Sequence, residues 1–421
     1  ILVKMNKPSQ VVILCGGLGT RLRPHTEYLP KPMIQCNGKP FLLYLLQQMS
    51  SQGLRNFVLL TGYLGKNIEI FFGDGSQWGW NIRYSKGLID WDTGKRIWEA
   101  RFQLDKNFIL LYSDNFVPFS LDKVFALHEK NQTSLTLTVS PKSPGNISLD
   151  KSGVVKKYDN NRSDQILDFV EIGYMIVEKN KILEFYESQD CSFSSVIEKM
   201  VSLSEVSALV QHDNYHSISD PKRWKIAEKY LDFKKIILVD RDGVINKKAK
   251  RGEYISNWSQ FKWISDTRFA MKILAQKGFK FIVISNQAGI ARGMVDLNEL
   301  ENIHINMKNE LLNDGIEILD IYVCPHHWNE DCFCRKPNPG MLFEASKDWL
   351  LRLDKTLFIG DDHRDCKASY NAGCKSILVG KSSEMDKLLE YEKPICTNIR
   401  LTECISNILD FFNTNNSNDN N

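Results

Sequence analysis

Lys235–Asn246 reads KIILVDRDGVIN. An unbroken aliphatic run ends in two aspartates one residue apart, Asp240 and Asp242. A short continuous apolar stretch closed by a turn signal predicts a strand buried on both faces, as in a parallel sheet. Open parallel sheets place ligand chemistry at the carboxyl ends of their strands, which is where these two carboxylates fall. One carboxylate can attack phosphorus, the other can carry a proton, and both can help to hold Mg²⁺. Asp-Gly is also ordinary turn chemistry, so a catalytic role for the pair requires partner groups elsewhere in the chain.

The C-terminal half supplies such partners. Phe279–Ser285 (FKFIVIS) is a second buried-strand candidate ending in Ser285, Asn286 and Gln287. A hydroxyl and backbone N–H groups at a strand end can bind phosphoryl oxygens. Leu357–Asp361 (LFIGD) is a third, followed by Asp362 and Asp365. Asp361 and Asp365 fall one helical turn apart and can share a cation. Between them in sequence and the second strand stands Lys336, within Cys334–Pro337 (CRKP), able to balance the charge of a nucleophile and a phosphate. Cys324, His326, Cys332 and Cys334 gather three thiols and an imidazole within eleven residues. That set predicts a tetrahedral Cys₃His zinc site with no open position, hence structural, shaping a loop over the substrate. The remaining cysteines (Cys15, Cys36, Cys191, Cys366, Cys374, Cys396, Cys404) are dispersed, and His327 reads as a neighbour rather than a ligand.

In this order the motifs resemble the haloacid dehalogenase-like phosphatases over about residues 235–380. The resemblance implies that Asp240 forms a phospho-aspartyl intermediate. It also implies that Asp242 protonates the leaving oxygen and then activates water. Asp361 would hold Mg²⁺ together with Asp240 and Asp242, and Asp365 would be an outer-shell candidate. Within the family, DRDGVIN (Asp240–Asn246), SNQAGIARG (Ser285–Gly293) and CPHHW…CFCRKPNPGM (Cys324–Met341) are similar to the D-glycero-D-manno-heptose 1,7-bisphosphate phosphatases. Histidinol-phosphate phosphatases share the zinc loop and the aspartates. The likeness gives Arg335 a role in gripping substrate. Asp362 departs from it, since the heptose enzymes often carry lysine there.

The first half carries a different phosphate chemistry. Val11–Pro24 (VVILCGGLGTRLRP) runs an apolar strand into Gly16, Gly17 and Gly19, then Thr20 and Arg21. Glycines let backbone N–H groups close on a phosphate, and Arg21 adds charge. With Pro30-Lys31-Pro32 downstream, the run resembles the sugar-1-phosphate nucleotidyltransferase signature over about residues 10–231. The resemblance implies a loop that holds a nucleoside triphosphate. Arg21 and Lys31 would stabilise charge as a sugar phosphate attacks the α-phosphorus. Asp114, closing Asn107–Asp114 (NFILLYSD), would bind Mg²⁺, and Glu171 and Gly173 would contact the sugar. Departures accompany it. Ser217, in Tyr215–Pro221 (YHSISDP), stands where the family carries a second metal-binding aspartate, with Asp213 and Asp220 as possible substitutes. The base-reading loop becomes Trp91–Lys95 (WDTGK), and Lys156 and Lys157 are out of register with the family's second lysine. Trp78, Trp80 and Trp91 could line the nucleotide or sugar pocket or simply pack.

Bulk properties fit two enzymes in one chain. At 421 residues, with 43% hydrophobic and 25% charged residues, two cores can form. The net charge of +3 does not call for nucleic acid or a membrane surface. There is no apolar run long enough to span a bilayer and no signal-peptide pattern at residues 1–10, so a cytoplasmic protein with reduced thiols is expected.

The expected fold class is α/β. A Rossmann-like nucleotidyltransferase domain (1–231) precedes a haloacid dehalogenase-like Rossmannoid domain with a zinc loop (235–385). A C-terminal segment (386–421) ends in a disordered asparagine-rich tail. Together the resemblances imply removal of the C7 phosphate from D-glycero-α-D-manno-heptose 1,7-bisphosphate, then nucleotidyl transfer from GTP to the 1-phosphate. The expected partners are a phosphorylated sugar and a nucleoside triphosphate, with homo-oligomerisation left open. A cytidylyltransferase-like or degenerate first domain, or a histidinol-phosphate phosphatase in the second half, are the alternatives.

Overall fold

The computed structural model describes residues 6–164, 166–186, 189–250 and 252–420, with side chains to 416. The chain divides into two compact units, Ile1–Asp232 and Phe233–Asn421.

In the first unit the strand Gln10–Cys15 is wholly buried and pairs in parallel with Asn56–Thr61 on one side and Asn107–Tyr112 on the other. The long strand Phe169–Glu178 adds antiparallel to Asn107–Tyr112, making a mixed nine-stranded sheet. Burial on both faces explains why these strands read as continuous apolar runs rather than alternating ones. The glycine-rich loop and Asp114 lie just beyond the carboxyl ends of adjacent central strands, so the sheet sets them side by side.

The second unit is a six-stranded, all-parallel sheet ordered Ile318–Cys324, Lys280–Asn286, Ile236–Val239, Leu357–Gly360, Lys375–Val379, Cys396–Asn398. Ile236–Val239 is central. Ile237 and Val239 pack one way with Phe281 and Val283, whereas Ile236 and Leu238 pack the other way with Ile282 and Ile284. The strands carrying Asp240, Ser285 and Asp361 are therefore immediate neighbours, and their carboxyl ends form one edge.

The C-terminal segment differs from expectation. Cys396–Asn398 supplies the sixth strand, and Leu401, Cys404, Ile408 and Phe412 are buried in the phosphatase-side core. Residues 396–412 thus help to complete the second unit's core. The asparagine-rich tail, expected to lack fixed structure, continues the helix Ile405–Asn420. A helix already nucleated by packed residues adds further turns at little cost.

No helix among the described residues is long and apolar enough to cross a membrane.

Candidate active sites

At the centre of the second unit, Asp240 leaves the buried strand end with its carboxylate 2.9 Å from the Lys336 ammonium. Lys336, only 3% exposed, reaches Asp365 at 2.8 Å and donates to the Ile284 carbonyl at 2.9 Å. Asn286 braces this lysine from both sides: its Nδ2 donates to the Lys336 carbonyl and its Oδ1 accepts from the Lys336 N–H, each at 3.1 Å. Burial pushes the Asp240 carboxyl up to about 7, against the opposing pull of Lys336, with Asp365, Asp361 and Asp242 adding repulsion. Burial likewise lifts Asp361 to about 6, even though Lys248 sits 2.7 Å from its Oδ2. The other Asp361 oxygen, Oδ1, is buried without a hydrogen-bond partner. An orphaned carboxylate oxygen inside a cluster of lifted carboxyls is what a cation site looks like before its cation is counted.

Asp240, Asp361 and Asp365 offer oxygens within 4.8 Å of one another, a set able to hold a metal ion. Two expectations change here. Asp365, expected in an outer shell, lies in this cluster, because its Oδ2 accepts from the Asp361 and Asp362 N–H groups at 3.1 Å and its Oδ1 meets Lys336. The Asp242 side chain, expected among the metal ligands, lies outside it. Its oxygens face Arg241 (2.8 and 3.1 Å), Asn246 (2.9 Å) and Gln287 (2.7 Å). Burial alone would raise the Asp242 carboxyl, but Arg241 and these donors hold it below the usual range. The tight turn requires Gly243 (φ +99°): a Cβ there would meet Asp361 Oδ2 at 2.2 Å.

Ser285 is fully buried, and its Oγ accepts from Gln287 Nε2 at 2.7 Å. No role for the side chains of Arg241, Asn246 and Gln287 was evident from the sequence, although all three lie inside the quoted motifs. The same holds for His304, whose Nε2 lies 3.1 Å from Arg241 Nη1. No local pattern marks His304, because it comes from the helix Leu297–Asn313.

Beside this edge, Cys324, His326, Cys332 and Cys334 come together as one group. The Cys324–Cys332 and Cys332–Cys334 sulfur separations are 3.7 and 3.6 Å, and His326 Nδ1 is 3.1 Å from Cys334 and 3.6 Å from Cys324. Sulfurs about 2.3 Å from a tetrahedral ion stand somewhat under 4 Å apart, so the cage has the dimensions of a metal site and is far too open for disulfides. Arg335 donates to the His326 carbonyl at 3.4 Å, tying the loop to the residue beside Lys336.

The first unit holds a cleft of about 450 Å³ lined by Gly16, Gly17, Gly19, Thr20, Arg21, Lys31, Trp91, Tyr112, Asp114 and Ser219, among others. Gly19 (φ +63°) closes the loop over Lys31, whose Cβ would lie 2.9 Å from an added methyl. Thr26 Oγ1 donates to the Gly19 carbonyl at 2.9 Å. Lys31 and Asp114 form an ion pair at 2.6 Å. Arg96 is buried beneath the loop and donates to the carbonyls of Thr61, Gly16 and Leu88 at 2.9, 3.3 and 2.7 Å, fixing three segments around the cleft. It lies on the helix Thr93–Ala100, just past the Trp91–Lys95 stretch, and nothing in the local sequence marks this role.

Glu171 and Gly173 do not line the cleft directly. Gly173 (φ +84°) packs on the Tyr112 ring, which does. Glu171 is half-buried with its Oε1 inside and unpartnered, and burial of the carboxyl, with Asp114 repelling it, lifts it to about 7.

Ser217 pairs with Asn115 beside Asp114, and its Oγ lies 3.0 Å from Ser219 Oγ. Asp220, weighed as a substitute ligand, instead caps the helix Pro221–Leu231 by accepting from the Arg223 N–H at 3.0 Å. Asp213 is buried and accepts from the Asn214 N–H. Neither acid lines the cleft, whereas Asp114 and Asp92 do. Trp78 and Trp80 stack on each other at 5.2 Å, with Trp80 edge-on to Phe57, and serve packing; Trp91 lines the cleft. Lys156 and Lys157 pair with Asp150 and Asp164.

Residues 10–171 match the Nucleotidyl transferase family and residues 333–406 the HAD-hydrolase-like family. The D-glycero-alpha-D-manno-heptose-1,7-bisphosphate 7-phosphatase of Photorhabdus laumondii is 35% identical over 155 residues, covering 35% of this chain and 83% of the relative. The D-glycero-beta-D-manno-heptose-1,7-bisphosphate 7-phosphatase of Pseudomonas putida is 34% identical over 163 residues, covering 39% of this chain and 91% of the relative. Among solved structures, HddC from Yersinia pseudotuberculosis aligns at 23% identity and TM-score 0.45, covering 53% of this chain and 99% of that one. With its sheet-edge carboxylates, its cysteine cage and relatives matched over most of their own length, the chain belongs through its second unit to the heptose-1,7-bisphosphate 7-phosphatase family, fused behind a nucleotidyl transferase domain.

Proposed function

We propose that the second unit removes the C7 phosphate of D-glycero-α-D-manno-heptose 1,7-bisphosphate and that the first unit joins a nucleotidyl group, GMP from GTP, to the resulting 1-phosphate. The observation carrying the phosphatase reading is Asp240 at the end of the central strand, buried and braced by Lys336. Its carboxylate attacks phosphorus, the bond from phosphorus to the sugar oxygen breaks, and Asp242 gives that oxygen its proton. Water then attacks the phospho-aspartyl group, Asp242 takes the water's proton, and phosphate leaves. Lys336 offsets the charge of nucleophile and phosphoryl group, and Ser285 supplies a hydroxyl beside them. Asp240, Asp361 and Asp365 would hold Mg²⁺, which neutralises phosphoryl charge when bound. The donor set and spacing of the cysteine cage fit structural Zn²⁺.

In the first unit the glycine loop holds the triphosphate, with Arg21 and Lys31 offsetting charge at the α-phosphorus and Asp114 the metal-binding carboxylate. The cleft's loop, cations and carboxylate support this reading.

Asp240→Asn tests the chemistry. It is expected to lower phosphate release from the bisphosphate by about three orders of magnitude or more, read by a phosphate assay on folded protein. Activity within tenfold of the unmutated chain would reject Asp240 as nucleophile.

A further inference from the structure

Two cations at the rim of the phosphatase cluster have no part in the steps above. Lys248, two residues beyond the strand-end motif, lies across the Gly243 turn, where an added Cβ would meet its Cε at 2.6 Å, and ends 2.7 Å from Asp361. Arg364 sits in the first turn of the helix His363–Ala372 and is held by both oxygens of the N-cap residue Asp362, at 2.8 and 2.9 Å. Each side chain is 43% exposed, and each lies within electrostatic reach of Asp240.

Neither placement is explained by stability. A cation in a helix's first turn opposes the helix dipole, and half-exposed ion pairs add little to folding. The buried cation, Lys336, is already committed to Asp240 and Asp365. The rim therefore carries a fork-shaped guanidinium, oriented by Asp362, and a flexible ammonium beside Asp361, both partly open to solvent. That pairing suits a dianionic oxyanion held beside the phosphoryl group under attack.

We propose that Lys248 and Arg364 form a clamp for the second, non-reacting phosphate of a sugar bisphosphate. The clamp rests on the bisphosphatase reading of the second unit and assigns specificity within it.

Initial rates of the full chain with Mg²⁺ test it on matched pairs: heptose 1,7-bisphosphate against heptose 7-phosphate, and fructose 1,6-bisphosphate against fructose 6-phosphate. Lys248→Met and Arg364→Met are each expected to lower the bisphosphate-to-monophosphate ratio of kcat/KM by about tenfold, through KM. Lys248→Arg and Arg364→Lys should recover part of it. An unmoved ratio in variants that retain the parent's melting temperature overturns the clamp, as does a parent chain with no preference for a second phosphate on either sugar. A parent that prefers the fructose bisphosphate but leaves the heptose bisphosphate intact, with the ratio falling in both methionine variants, keeps the clamp and rejects the heptose substrate.

Discussion

Asp242 shows how much of this site is held from behind. Arg241, 1% exposed, turns one nitrogen onto Asp242 and another toward His304. Burial, with Arg241 repelling a second positive charge, pushes the His304 imidazole down to about 3, so it is neutral and can accept from the guanidinium. Removing one member of a buried ion pair costs about 3–5 kcal/mol when the other stays buried. Asp242 keeps Asn246 and Gln287 and is partly exposed. Arg241→Met is therefore expected near the lower end, about 3 kcal/mol, by denaturant unfolding. The same change lets the Asp242 carboxyl rise toward its ordinary range, so the acid-side features of the pH–rate profile should move to higher pH. An unmoved profile would separate Arg241 from the proton carrier. At this scale the positions of the strand-end groups were legible in the sequence. Asp240, Ser285 and Asp361 lie at or just past the ends of buried strands, and a buried strand is legible as an apolar run; Lys336, on the loop before the helix Gly340–Trp349, was marked by its motif alone. His304 and Arg96 were not legible, because each acts across the fold through an atom that no neighbour in sequence announces.

The cysteine loop and the helix Leu121–Asn131 each support a prediction. The cage brings four ligand atoms to tetrahedral spacing with no strand or helix of its own around Cys332 and Cys334, so the metal would be what orders it. Elemental analysis of protein purified without added metal should give about one zinc per chain, and Cys332→Ser should remove it. Zinc-free protein with full phosphatase activity would contradict the assignment. On the helix Leu121–Asn131, His128 is buried, with Nδ1 2.8 Å from Thr136 Oγ1 and Nε2 unpartnered. Burial pushes it down to about 4 from an ordinary 6.5. Between those values the unfolded chain binds the extra proton and the folded chain does not. Stability therefore falls as pH drops through this window and is fully present above it. Replacing His128 with Gln should flatten the pH dependence of the first unit's melting temperature between pH 6.5 and 4; an unchanged slope would show that other groups set it. The C-terminal segment was misjudged at this scale for a physical reason. Its buried residues, Leu401, Cys404, Ile408 and Phe412, are sparse within a polar stretch and complete a core built mainly by distant strands.

Across the whole molecule, two sheets each place phosphate chemistry at strand carboxyl ends, one in Ile1–Asp232 and one in Phe233–Asn421. Two enzymes in one chain make sense when the product of one serves as the substrate of the other: a sugar relieved of one phosphate keeps its anomeric phosphate, the group a nucleotidyltransferase extends. The first unit's cleft is lined by the carboxylates Asp92 and Asp114, with Ser217 where a second metal-binding aspartate was expected. The fold class and the order of the two chemistries were readable from the motifs; that Asp213 and Asp220 do not replace the aspartate missing at Ser217 was not, because a local turn and a helix cap claim them in the folded chain. The two units together are expected to run one coupled reaction. The most direct measurement is mass spectrometry of the unmutated chain incubated with the α-anomer of heptose 1,7-bisphosphate, GTP, CTP and Mg²⁺. Free phosphate, pyrophosphate and a GDP-heptose mass are expected. Heptose 1-phosphate accumulating with no nucleotide sugar would contradict the transferase half, and intact bisphosphate would contradict the whole.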